Sequence, residues 1–114
     1  MRPALAIAAL LAVAIGTPAE AAASDGARVY AERCAVCHGD DGRGDGPAAA
    51  ALVPKPRNLR DAAYWKDRTP AAVVAVIHDG KPGTMMMGFR DVLSDAEIAA
   101  VADYVRRFAP TAAK

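Results

Sequence analysis

Two cysteines in 114 residues are too few for the disulfide framework of a small secreted scaffold. Aromatic residues make up 5% of the chain, with a single tryptophan, so a core built from protein alone has few large side chains to fill it. Charge of one sign is also missing. The formal net charge is +1 with no basic stripe, and no nucleic-acid partner is expected. No segment shows the strict apolar-polar alternation of a half-buried strand, which excludes a sheet and leaves an all-α chain.

What is there begins with a leader-like stretch. Met1-Arg2-Pro3 precedes an apolar run from Ala4 to Gly16, and Ala19-Glu20-Ala21 follows as an A-x-A site. The run is shorter than the roughly 20 residues of a spanning helix, so no stable membrane span is expected once it is removed. Residues 1–23 read as a signal peptide cleaved between 21 and 23, which implies export to the periplasm. Residues 24–114 then form one domain, short enough that a large buried cofactor would add much to its core.

Helix signals divide that domain. Asp25 is an expected N-cap for a first helix running into Cys34, with Ala27, Tyr30, Ala31 and Cys34 along one stripe. A Gly- and Asp-rich loop follows His38, punctuated by Pro47, Pro54 and Pro56, with one possible helical turn in Ala48 to Leu52. A short helix is expected over Asp61 to Lys66. Thr69-Pro70 opens another, ended by Gly80. Ser94-Asp95-Ala96-Glu97 is a capping box for the last, with Ile98, Val101, Ala102, Val105 and Phe108 at helical spacing.

Cys34-Ala35-Val36-Cys37-His38 carries the chemistry. Two thiols separated by two residues can each add to a vinyl group on one porphyrin edge, and the adjacent imidazole then reaches the iron. This predicts one covalent haem c through Cys34 and Cys37, with His38 as an iron ligand. A zinc site would need more soft ligands than these three residues and the distant His78 provide. A thioredoxin-like pair wants a strand-helix context, and a disulfide here would close too small a loop to stabilise much.

The opposite axial ligand is sought downstream. Lys81-Pro82-Gly83-Thr84-Met85-Met86-Met87-Gly88-Phe89 offers three methionines on a loop bounded by Gly and Pro, where a helical core stripe cannot form. His78, at a helix end before Asp79-Gly80, is the rival ligand.

With these residues in view, the chain from Gly26 to Phe108 resembles the class I cytochrome c family. Gly26 and Tyr30 stand eight and four residues before the first haem cysteine, as in that family, and Val101 with Tyr104 resembles its aliphatic-aromatic pair on the last helix. The resemblance implies a small cytochrome c fold, with terminal helices crossing at Gly26 and loops wrapping one haem. It also selects Met86 as the metal ligand beside His38, because Met86 lies three residues before Phe89 and ahead of Leu93-Ser94-Asp95. Met87 departs from the family's usual proline and leaves Met85 and Met87 open. Gly46-Pro47 resembles the pair whose proline carbonyl accepts from the proximal imidazole. Trp65, Tyr64 and Arg57 are candidates for holding the haem propionates.

The function this implies is single-electron transfer between redox protein partners met transiently, without substrate chemistry. Two alternatives stand beside it: a haem subunit of a larger oxidoreductase, and a ligand-binding or catalytic haem module with a labile methionine.

Overall fold

The first helix begins earlier than Asp25. The computed structural model describes residues 2–111, and among them every regular element is helical. Helix α1 spans Pro18–Val29, with Thr17 as its N-cap. The Thr17 hydroxyl accepts from the Glu20 N–H at 3.2 Å, while the Glu20 carboxylate accepts from the Thr17 N–H at 3.0 Å. Thr17-Pro18-Ala19-Glu20 is thus a capping box with proline at the first helical position, and it outcompetes Asp25 as the start. Before it, the apolar run has no regular structure, and Leu10, 97% exposed, is typical of its side chains.

The chain stays helical through the cysteine motif by changing pitch. A π-helical turn spans Tyr30–Cys34, and the Ala35 N–H donates to the Tyr30 carbonyl five residues back. Helix α2, Ala35–His38, then ends at Gly39, which has φ 82°. One extra residue in the turn rotates everything after it around the helix axis. Of the expected stripe, Tyr30 is buried and Ala27 and Cys34 are half-buried, while Ala31 is exposed; Val29 and Ala35 are buried beside it.

The middle of the chain runs through a 3₁₀ turn at Ala49–Ala51, helix α3 at Ala62–Trp65 and helix α4 at Pro70–Asp79. Asp61 caps α3 through the Ala63 N–H, and Thr69 caps α4 through the Ala72 N–H. Helix α5, Asp95–Val105, opens on the Ser94/Glu97 capping box and continues into a 3₁₀ turn at Arg106–Phe108.

Helix α1 packs chiefly against α5. A Cβ on Gly26 would stand 2.5 Å from the Ala100 carbonyl oxygen and 2.9 Å from Tyr104 Cβ, so only glycine permits this approach. Tyr104 stands at the crossing, as expected, and Val101 on the same helix is fully buried together with Val29 of α1 and Ile98. Each such side chain contributes on the order of 1.5–3 kcal/mol through removal from water. The rings of Tyr104 and Phe108 flank Tyr30, with centroids 5.3 and 5.2 Å away.

Candidate haem site

The π turn, which ends at Cys34, and α2, which carries Cys37 and His38, present the motif together on one continuous helical segment. Both cysteines are unbridged and partly buried. Burial, with the Cys37 thiol beside it, pushes the Cys34 thiol up to about 11, so it stays protonated at neutral pH. Two unbridged, partly buried thiols at this spacing suit addition to the two vinyl groups of one porphyrin edge.

His38 is half-buried, and its Nδ1 lies 3.1 Å from the Arg57 carbonyl oxygen. A carbonyl only accepts, so Nδ1 carries the hydrogen and Nε2 keeps its lone pair for a metal. Burial holds the imidazole below its ordinary pKa, and the Arg57 bond partly offsets this. The neutral ring, the form that a metal would require, is therefore favoured at pH 7.

The partner carbonyl corrects one expectation. Pro47 does not orient His38; it is exposed and lines an open cleft of about 470 Å³ with Ala35, Val36 and the three aspartates Asp40, Asp41 and Asp45. Gly46 donates to the Cys37 carbonyl and Ala48 to the Val36 carbonyl, which folds the Gly46-Pro47 turn back onto the outside of the motif. The loop then continues until Pro56-Arg57 passes His38. The Leu59 N–H bonds the Gly42 carbonyl at 2.6 Å and fixes that passage. Nothing local in the sequence marks a residue nineteen positions away as the imidazole's partner.

Trp65 corrects another. Its indole N–H donates to the Leu59 carbonyl at 2.6 Å within the core, where the side chain is 5% exposed, so the donor is already committed to the backbone. Arg57 is exposed, and its guanidinium carbon lies 6.0 Å from the centre of the half-buried Tyr64 ring.

The methionine loop sorts its three residues by exposure. Met85 is 69% exposed and Met87 55%, whereas Met86 is half-buried and packs against the core. The loop is held by its own backbone. Lys81 N–H donates to the Met86 carbonyl at 2.9 Å, Phe89 N–H to the Ile77 carbonyl at 2.9 Å, and Thr84 Oγ accepts from the Met86 N–H at 3.1 Å. A Cβ on Gly80 would fall 2.6 Å from Gly88 N and 2.8 Å from the Met86 carbonyl oxygen, so glycine lets the loop close onto the end of α4. His78 is occupied elsewhere, its Nδ1 2.6 Å from an Asp79 carboxylate oxygen and its side chain 38% exposed.

The donor set fits a covalent haem: two free thiols, a neutral imidazole with an available Nε2, and one inward thioether. Among the described residues no group of three or more His, Cys, Asp or Glu is placed to hold a metal ion by itself.

Comparison with known proteins agrees with this chemistry. The family model described as "Cytochrome c" matches residues 23–108. The chain is 35% identical over 97 residues to the cbb3-type cytochrome c oxidase subunit CcoP of Rhodobacter capsulatus, covering 79% of this chain and 31% of that protein. It is 35% identical over 85 residues to the thiosulfate dehydrogenase of Stutzerimonas stutzeri, covering 70% and 25%. The chain thus spans about a third or less of the length of these curated relatives. Among solved structures it resembles KustC0563, a c-type cytochrome, with TM-score 0.62 and 31% identity over 75% of this chain and 99% of that one. A reducing HAO-like protein complex of Kuenenia stuttgartiensis gives TM-score 0.64 and 28% identity over 75% of this chain and 41% of that one. A helical fold crossed at a glycine, a Cys-x-x-Cys-His segment with a neutral imidazole, and a matching family model over most of the chain lead to one conclusion: this chain belongs to the cytochrome c family and carries haem c at Cys34 and Cys37.

Proposed function

We propose that the protein is an exported single-electron carrier of the periplasm, in which His38 and Met86 would hold the haem iron. The observation that carries the reading is the inward placement of Met86 alone on a loop tied by backbone hydrogen bonds to α4. When bound, the haem would supply an iron that cycles between ferrous and ferric states, and a thioether ligand from Met86 in addition to the imidazole would raise its potential.

The protein's own residues do the rest. The Arg57 carbonyl fixes the imidazole tautomer and ring plane, which strengthens His38 as a donor. The Lys81–Met86 and Ile77–Phe89 bonds hold the thioether loop in one place, limiting rearrangement as the iron charge changes. With His38 and Met86 both given to the iron, a small molecule would find no coordination site, and the role would be electron transfer without substrate chemistry. Partners are other redox proteins met in small, transient encounters.

Export is supported by the exposed apolar run before Thr17 and by a family match that starts only at residue 23. Among the described residues no helix is long and apolar enough to cross a membrane. A cleavage bond between residues 21 and 23 lies inside α1, so removal of the leader shortens that helix toward Asp25.

One observation favours a second reading, a haem subunit of a larger oxidoreductase. The oxidase subunit named above is by its name part of a larger assembly, and the HAO-like match is a protein complex. Mass and absorption spectroscopy on protein from an export-competent, haem-attaching host tests the proposal. The expected result is a monomeric species lacking residues 1 to about 23 and carrying one haem. A full-length mass without haem contradicts the proposal, and co-purification with fixed stoichiometry in a complex favours the subunit.

A further inference from the structure

Of the four methionines in the chain, Met1 opens the leader-like stretch and the other three, Met85, Met86 and Met87, are consecutive in one loop. Their exposures alternate. Met85 is 69% exposed and Met87 55%, while Thr84, Met86 and Gly88 are half-buried. This is the alternation of an extended chain, in which successive side chains point to opposite sides. Backbone bonds fix it: the Met86 N–H is held by Thr84 Oγ at 3.1 Å, and the Met86 carbonyl by the Lys81 N–H at 2.9 Å. The loop cannot turn its outer pair inward without breaking both.

Packing gives no reason for thioethers at the two outer positions. Among the described residues neither Met85 nor Met87 packs against the core cluster that Met86 touches, and an apolar side chain facing water gains nothing from burial. Their chemistry is what distinguishes them. Cys34 and Cys37 are the only cysteines, partly buried and both given to the haem. In residues 24–114 the free sulfur atoms that solvent reaches most fully therefore belong to Met85 and Met87, one on each side of the inward thioether. Exposed thioethers are the sulfur groups that oxygen-transferring oxidants convert to sulfoxides.

We propose that Met85 and Met87 form an oxidant-interception site, at which a hypohalous acid is consumed by conversion of the two outer thioethers to sulfoxides before it reaches Met86. With hypochlorous acid, the sulfur lone pair takes the chlorine, the O–Cl bond breaks and hydroxide leaves. Water then adds its oxygen to the chlorosulfonium, chloride departs and two protons are released, one of which neutralises the hydroxide. The net change per methionine is thioether plus hypochlorous acid to sulfoxide, chloride and one proton, with sulfur losing the two electrons that chlorine gains. A sulfoxide is polar, so the outer face of the loop changes from apolar to polar while the inner face is kept. The order of oxidation rests on burial alone; the sparing of an iron ligand rests on the function proposed above.

The test titrates ferric holoprotein from a haem-attaching host with limiting hypochlorous acid. Sulfoxides are located by fragmentation of the loop peptide in a mass spectrometer, and the near-infrared sulfur-to-iron band is followed in parallel. The unsubstituted chain is compared with the Met85→Leu, Met87→Leu double variant, in which leucine keeps the exposed apolar volume and removes only the sulfur. At about two equivalents per chain, Met85 and Met87 are each expected to carry about fivefold more sulfoxide than Met86. The double variant should lose the band at about a third of the dose, because one thioether then meets the oxidant that three had shared. Equal sulfoxide at all three methionines, or an unchanged dose for the double variant, overturns the proposal. If the double variant does not accumulate with haem, the fragment map of the unsubstituted chain decides, equal oxidation overturning the proposal and an excess at the outer pair supporting it. An untreated, unsubstituted holoprotein without the band refutes ligation by Met86 rather than the order of oxidation, which the same map still decides.

Discussion

The buried Tyr30 hydroxyl donates to the Gly39 carbonyl, one residue beyond His38. The bond spans the π turn and α2, so one side chain on the helix crossing anchors the far end of the cysteine-histidine segment. Its ring lies between Tyr104 and Phe108, which couples the order of α5 to the position of His38.

Tyr30→Phe keeps the ring and removes the bond, leaving the Gly39 carbonyl unpaired. The expected loss is about 1–2 kcal/mol, read as a lower Tm of the holoprotein. The variant should also change the response to alkali. Burial raises the Tyr30 pKa above its ordinary value of 10.0. A folded-state pKa above the unfolded one stabilises fully below the unfolded value and is lost as pH rises past it. The unsubstituted protein should therefore lose stability above pH 10.0, and Y30F should lose less over the same interval. Parallel losses in the two proteins would refute this role.

Gly26→Ala should destabilise by about 1–3 kcal/mol, because the added carbon meets the Ala100 carbonyl and Tyr104 Cβ, and backbone cannot rotate away. The gain in helix propensity from glycine to alanine, about 1 kcal/mol, acts in the opposite direction and does not offset a backbone clash. The midpoint of chemical denaturation measures it, and an unchanged or raised midpoint would show that α1 and α5 can separate without loss.

Trp65→Phe should cost about 1–3 kcal/mol, since it strands the Leu59 carbonyl in the core. Thermal melting of the holoprotein checks this. A melt matching the unsubstituted chain would mean that water or another donor replaces the indole.

Much of the architecture was legible because helix ends are written locally. Ser94 with Glu97, Thr69 with Pro70, and Gly80 each mark a boundary that the structure keeps. The start of α1 was equally local, in Thr17-Pro18-Ala19-Glu20, but reading that stretch as a leader put it outside the fold. The π turn leaves no such signature, because a shift from four-residue to five-residue hydrogen bonding is decided by packing around Tyr30. Within the site, Cys34, Cys37 and His38 declared themselves by spacing, and the register to Phe89 picked the one methionine that points inward. The partners of His38 and Trp65 did not. Arg57 reaches the imidazole only after a loop whose path depends on tertiary contacts, and the indole's choice of Leu59 follows from the fold of α3.

The central claim is that Met86 closes the iron opposite His38. The most direct measurement is the near-infrared spectrum of the ferric holoprotein, together with carbon monoxide binding to the ferrous form, in Met85→Leu, Met86→Leu and Met87→Leu. The account predicts that the unsubstituted chain, M85L and M87L show the sulfur-to-iron band and resist carbon monoxide, while M86L loses the band and binds the gas. A band that survives in M86L, or rapid carbon monoxide binding by the unsubstituted protein, would contradict it.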